Sequence, residues 1–275
     1  MAKTRVLVTG LSGVVGQAMQ AELADRYELS SLSRYGTEGL DDAHNFRGNI
    51  TDIDALTAAF RDQEVVVHLA ADRSMKAPFE STVDFNIKGL YNVYEAARQC
   101  GVRRVVFGSS QHTVGGFYRD PPYCHIFAGE FDRVQRPYAL LDETAPIRPS
   151  GYYGMSKVYG EAMGHYYYDI YGISTIAIRI GFTLSNNLPT FDGSALSLWL
   201  SHRDTTQIHV RAIDAPPEVG FTVVFATSDN YWKIFSLDKA REVLGYEPED
   251  DAGPVLDPGA QQLERDFTEF KVHPE

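Results

Sequence analysis

The sequence predicts an α/β fold: a Rossmann-type, doubly wound parallel sheet with a small C-terminal substrate-binding region. Three observations predict it. Short β-branched runs alternate with stretches whose apolar residues recur at helical spacing. The strand runs are apolar throughout, as in parallel sheets covered by helices on both faces. The first strand leads directly into a glycine-rich turn that opens the first helix.

The elements follow in order. Arg5–Thr9 (RVLVT) reads as a buried strand, and residues 13–25 carry Val14, Val15, Ala18, Met19 and Leu23 on a helix. Strands are expected at residues 27–32 and, very short, at Asn45–Arg47. Asp52 is placed to N-cap a helix through Phe60, its carboxylate taking a free backbone N–H. A strand over residues 65–69 precedes a long helix over 80–100 with apolar Val83, Ile87, Leu90, Val93, Tyr94 and Ala97. Then come a strand at 104–107, a helix at 150–171 and a strand at Ser174–Ile180. Residues 115–149 break the rhythm. They are long, irregular and rich in aromatics and proline, which predicts an ordered lid or wall. Beyond Gly181, helical pieces at 195–201 and 205–214, a strand at Phe221–Ala226 and a helix at 237–244 are expected. The polar residues from Pro254 on are expected to form an appended helix. Residues 1–180 then make the dinucleotide-binding domain with the catalytic residues. Residues 181–275 make a small substrate-binding region interleaved with it.

Composition narrows the function classes. The 275 residues carry a formal charge of −12, which argues against nucleic acid as a partner because phosphate binding needs a basic face. Two cysteines, Cys100 and Cys124, make no disulfide framework and no C-x-x-C. The histidines show no metal-ligand spacing. No apolar run is long enough to span a bilayer, and the chain starts directly on a strand pattern. A reduced cytoplasmic compartment is the expected location.

The turn Thr9-Gly10-Leu11-Ser12-Gly13-Val14-Val15-Gly16 lies between strand and helix, where glycines carry a mechanism. Gly10 allows the tight turn, Gly13 the approach of a pyrophosphate, and Gly16 close helix–strand packing. Ser12 and Val14 share the helix N-terminus, whose free N–H groups receive the anion. At the tip of the second strand, readers of the NAD ribose are acidic. Here Ser33 and Arg34 stand instead, which favours NADP, with NAD possible. Asn49 and Ile50 are expected beside the adenine, Leu69, Ala70 and Ala71 beside the ribose, and Ile180 at the nicotinamide end. Asn86 is counted with this cofactor-binding set, bracing the site from the long helix.

Tyr153 and Lys157 stand four apart, on one helix face. An ammonium near the phenol is expected to lower its pKa towards working pH, making Tyr153 a general base for a hydroxyl or acid for a carbonyl. Ser110, near the C-terminal edge of the sheet where ligands bind in open α/β folds, is placed to donate to the reacting oxygen. Catalytic roles are therefore expected for Ser110, Tyr153 and Lys157.

The order of TGLSGVVG, HLAA, NIKG, SSQH and YGMSK resembles an extended short-chain dehydrogenase/reductase over roughly residues 3–244. Within that superfamily, VVFGSSQHTVGGFY, YYGMSKVYGE, Arg179–Gly181 and Trp199-Leu200-Ser201 resemble the uronate dehydrogenases and related sugar 1-dehydrogenases. The resemblance implies NAD(P)-dependent oxidation of a cyclic sugar at its anomeric carbon to a lactone. It implies a substrate wall of Ser110, Gln111, His112 and Tyr153; Arg73, Ser74 and Phe182, the last a departure from the family pattern, are counted with the substrate-binding residues. It also implies a dimer packed through the helices at 80–100 and 150–171. Uronate enzymes hold the carboxylate with an arginine just before the Trp-Leu-Ser stretch. Residues 190–198 contain none, and Ser194 stands near that position, which favours a neutral aldose. A sugar phosphate would need Arg73, Lys76 or Arg119. Other classes consistent with the motifs are a nucleotide-sugar epimerase or dehydratase and a non-catalytic dinucleotide sensor.

Overall fold

The computed structural model describes residues 2–74, 78–189 and 193–253; the expected helix from Pro254 and Lys76 lie outside them. Seven parallel strands form one sheet in the order β3-β2-β1-β4-β5-β6-β7. They are β1 (Arg5–Thr9), β2 (Glu28–Ser33), β3 (Asn45–Arg47), β4 (Val65–His68), β5 (Arg104–Ser110), β6 (Ser174–Ile180) and β7 (Phe221–Ala226). The main helices are α1 (Val14–Arg26), α2 (Ile53–Phe60), α3 (Phe79–Ser81), α4 (Gly89–Cys100), α5 (Tyr123–Phe127), α6 (Tyr152–Tyr171), α7 (Gly193–Leu198), α8 (His202–Asp214) and α9 (Asp238–Leu244). The doubly wound sheet expected from the sequence is the observed fold, and the C-terminal region adds β7 to it beside β6.

Strand alternation divides the core in two. Val6 and Val8 of β1 enter one apolar cluster, and Leu7 between them enters the other. The same split recurs in β4, where Val65 and Val67 face one side and Val66 the other. Such fully buried branched side chains contribute about 1.5–3 kcal/mol each relative to exposure.

Residues 115–149 form a wall. Tyr123, Ile126, Phe127, Val134 and Leu141 are buried in the first cluster, and Leu141 pairs with Phe235. Asp52 caps α2 as expected, accepting from the N–H groups of Asp54 and Ala55. Ser201 caps α8 in the same way and starts that helix at His202, three residues before the expected start.

Two differences matter for the site. The long helix over 80–100 is interrupted: residues 82–88 adopt a π-helical turn between α3 and α4. Such insertions rotate one side chain out of the α-helical register and are common at functional sites. The fifth strand runs on to Ser110 rather than stopping at Phe107. Gly108, Ser109 and Ser110 have weak strand preference, but pairing with Ile178, Arg179 and Ile180 on β6 overrides it.

Candidate active site

At the C-terminal edge of the sheet lies a cleft of about 1010 Å³. One end is bordered by Gly10, Ser12, Gly13, Val14 and Gly16, with Ser33, Arg34, Asn49 and Ile50 alongside. Leu69, Ala70 and Ala71 line its middle. Arg73, Ser74, Ser110, Gln111, His112, Tyr153, Lys157, Ile180 and Phe182 surround the other end. Of the expected site residues that the structure describes, Asn86 does not line the cleft. Arg119, raised as an anion holder, does not line it either.

The glycine turn is built for an anion. Gly10 has φ +80°, and a Cβ at Gly16 would stand 2.2 Å from the Leu11 carbonyl oxygen. Gly13 caps α1 without any side-chain hydrogen bond, and the first turn holds no acid. The leading N–H groups therefore face the cleft without an internal competitor. At the tip of β2, the Ser33 hydroxyl is buried and has no hydrogen-bond partner. Arg34 stacks beside Tyr35, 5.5 Å from its ring centre. A bare buried hydroxyl beside a guanidinium, next to a helix N-terminus, fits a dinucleotide.

Below the turn, Thr9 and His68 at the ends of β1 and β4 share a buried hydrogen bond of 2.7 Å. Burial and the Lys157 charge push His68 down to about 3, so it is neutral.

At the other end, α6 brings Tyr153 and Lys157 against the end of β5. The approach is close: a Cβ at Gly154 would lie 2.4 Å from the His112 carbonyl oxygen. Tyr153 packs edge-on against the His112 ring. His112 shares a 2.7 Å hydrogen bond with Ser150 and donates its backbone N–H to the Ser110 hydroxyl at 3.2 Å. Burial pushes His112 down to about 4, leaving it neutral.

The electrostatics correct one expectation. The spacing argument has Lys157 lowering the phenol. In the structure burial dominates, and Tyr153 is pushed up to about 12. The opposing influences are the Ser110 hydroxyl and the Arg73 charge. Lys157 Nζ lies over ring faces, 4.9 Å from the centre of Phe107 and 5.4 Å from that of Tyr153. Burial lowers Lys157 itself to about 7, so its charge is weakened where it would act.

Two networks support the site, and the first of them escaped sequence reading. Glu161, one turn beyond Lys157, accepts from the Ser109 hydroxyl at 2.6 Å and takes Arg179 in a two-pronged ion pair at 2.9 and 2.8 Å. All three side chains are buried, so the pair ties α6 to β5 and β6 directly beneath the site. Asn86, on the π-turn, bonds to Asp72 and also donates to the Ser156 hydroxyl at 3.2 Å. It braces the loop lining the cleft. It lies buried on the π-turn, of which helical periodicity carries no sign. Asp72, Phe85, Thr183 and Leu184 also line the cleft; their positions follow from loop paths, not from any motif.

The model of the NAD dependent epimerase/dehydratase family matches residues 6–211. The chain belongs to this family. Among family relatives, it is 33% identical to the NAD-dependent glucose-6-phosphate dehydrogenase of Haloferax volcanii, over 90% of this chain and 94% of that one. It is also 33% identical to the L-arabinose 1-dehydrogenase (NAD(P)(+)) of the same organism, over 92% and 99%. A solved uronate dehydrogenase of Agrobacterium tumefaciens, a mutant form complexed with NAD, superposes with a TM-score of 0.74 at 31% identity. That match covers 94% of this chain and 93% of that one. These dehydrogenase relatives support an NAD(P)-linked oxidoreductase of the extended short-chain type. Among the described residues no helix is long and apolar enough to cross a membrane. No group of three or more His, Cys, Asp or Glu among them could hold a metal ion.

Proposed function

We propose that the protein is an NAD(P)-dependent sugar 1-dehydrogenase. The observation that carries this reading is the convergence of Ser110, Tyr153 and Lys157 at one end of a cleft whose other end is an anion-binding glycine turn. Relatives over nearly the whole chain that oxidise glucose 6-phosphate or L-arabinose support it.

A bound nicotinamide would supply the hydride acceptor for C1 of the cyclic sugar. Tyr153 takes the proton of the anomeric hydroxyl, and C1 becomes the carbonyl of a lactone. Ser110 hydrogen-bonds the reacting oxygen, while Gln111 and His112 orient ring hydroxyls. Lys157 supports the phenolate and holds the nicotinamide ribose. Ser33 and Arg34 receive a 2′-phosphate, so NADP is the favoured cofactor and NAD is accepted. Residues 190–198 hold no arginine, which removes a carboxylate anchor from that wall. On that wall alone a neutral aldose is favoured; a cation supplied by another element would change the class of sugar.

The test is NAD(P)H formation at 340 nm over aldoses, uronates and hexose phosphates, with Tyr153→Phe as control. One sugar class is expected to react, with a Tyr153-dependent loss of about 10²–10⁴-fold. A flat panel with cofactor still bound would sink the reading.

The protein is also proposed to dimerise through α4 and α6. Tyr91, Met155, Tyr166 and Ile170 are exposed on these helices, an apolar face of the kind that marks an interface. Light scattering reporting a monomer would overturn this.

A further inference from the structure

The geometry points to Arg73 as an anion reader: the sugar oxidised in this cleft carries a phosphate or carboxylate group that pairs with the Arg73 guanidinium. The inference rests on the dehydrogenase reading and names the class of sugar. It replaces the neutral aldose, whose choice turned on one wall of the pocket only.

Among the described residues, four cationic or titratable nitrogen side chains line the cleft: Arg34, Arg73, His112 and Lys157. Arg34 belongs to the far end, with the β2 tip. His112 is neutral, and Lys157 is enclosed over two aromatic rings. Arg73 is therefore the permanent, accessible cation at the sugar end. It is exposed and makes no ion pair with any described residue. Its charge is felt at the reacting end, where it lowers the Tyr153 phenol.

The neighbouring acid, Asp72, makes no direct ion pair with it. Asp72 spends one carboxylate oxygen on the Ser74 N–H at 3.0 Å and the other on the Ser81 hydroxyl. Its backbone N–H and C=O are both held by Asn86. The loop is thus pinned on each side of Arg73, and the guanidinium is left to pair with something from outside. A guanidinium presents paired N–H donors that match phosphate and carboxylate oxygens two at a time. The cation missing from residues 190–198 is supplied here from the loop after β4.

The experiment compares kcat/KM of the full-length protein for glucose 6-phosphate, galacturonate and glucose, in wild type, Arg73→Gln and Arg73→Lys. The expected result is that wild type prefers one acidic sugar over glucose. Arg73→Gln then cuts that preference by about tenfold or more, mainly through KM. Arg73→Lys restores part of it, and added NaCl raises KM for the acidic sugar. Which of the two acidic sugars is preferred identifies phosphate or carboxylate. The inference is overturned if wild type prefers glucose. It is also overturned if Arg73→Gln lowers all three sugars by the same factor, because Arg73 would then act only on the phenol. If wild type oxidises none of them, the dehydrogenase reading itself falls, a result visible before any variant is made.

Discussion

Asn86 and Asp72 exchange two hydrogen bonds of 2.8 Å each, from the Asp72 N–H to the Asn86 carboxamide oxygen and from the carboxamide N–H to the Asp72 carbonyl. The second amide hydrogen donates to Ser156 on α6. One side chain thus joins the loop after β4 to the helix that carries Tyr153 and Lys157. Asn86→Ala leaves part-buried backbone groups of Asp72 unpaired, at a cost of about 1 kcal/mol. Urea unfolding is expected to show that loss, and steady-state kinetics a raised KM for the sugar. Unchanged stability and KM would remove the bracing role.

The pH profile follows from the burial of Tyr153. The phenol must be ionised to accept a proton, and burial holds it at about 12. The phenolate fraction therefore grows as pH rises through the neutral and alkaline range. Lys157, lowered to about 7, loses its charge over the same range and opposes this only partly. Sugar oxidation at saturating cofactor is expected to quicken from pH 7 to about pH 10. Ser110→Ala, which removes a group that lowers the phenol, shifts the rise to higher pH. A plateau below pH 8 in wild type would contradict this account.

Cofactor choice is expected to turn on the β2 tip. The bare, buried Ser33 hydroxyl lies beside Arg34 in sequence, with no acid at the ribose position. Arg34→Ala is expected to raise KM for NADP by about tenfold and to leave NAD little changed. Equal effects on both cofactors would make Arg34 a surface residue.

The ion pair beneath the site is a separate test. Arg179→Met leaves Glu161 as a buried carboxylate with only Ser109 beside it. A destabilisation of about 3–5 kcal/mol is expected. Arg203 pairs with Glu249 and Asp250 in the open, so Arg203→Met is expected to cost less than about 1 kcal/mol. Denaturant midpoints of the two variants decide the contrast, and similar values would overturn it.

What the sequence determined by itself is whatever depends on neighbours along the chain. The apolar runs of β1 and β4, the glycines after β1, the Asp52 cap and the Tyr153–Lys157 spacing are all local, within a turn or two of backbone. Strand period and helix period make such patterns readable, and the parallel sheet follows from them. Tertiary structure alone decided what depends on register and enclosure. The extension of β5 to Ser110 comes from pairing with β6, and that register sets Ser109 beside Arg179 across from Glu161 on α6. The π-helical turn at residues 82–88, which carries the buried Asn86, leaves no sign in the helical period. The rise of the Tyr153 phenol, against the lowering that the neighbouring lysine leads one to expect, comes from desolvation. Solvent exposure is a property of the packed molecule, and no spacing along the chain encodes it.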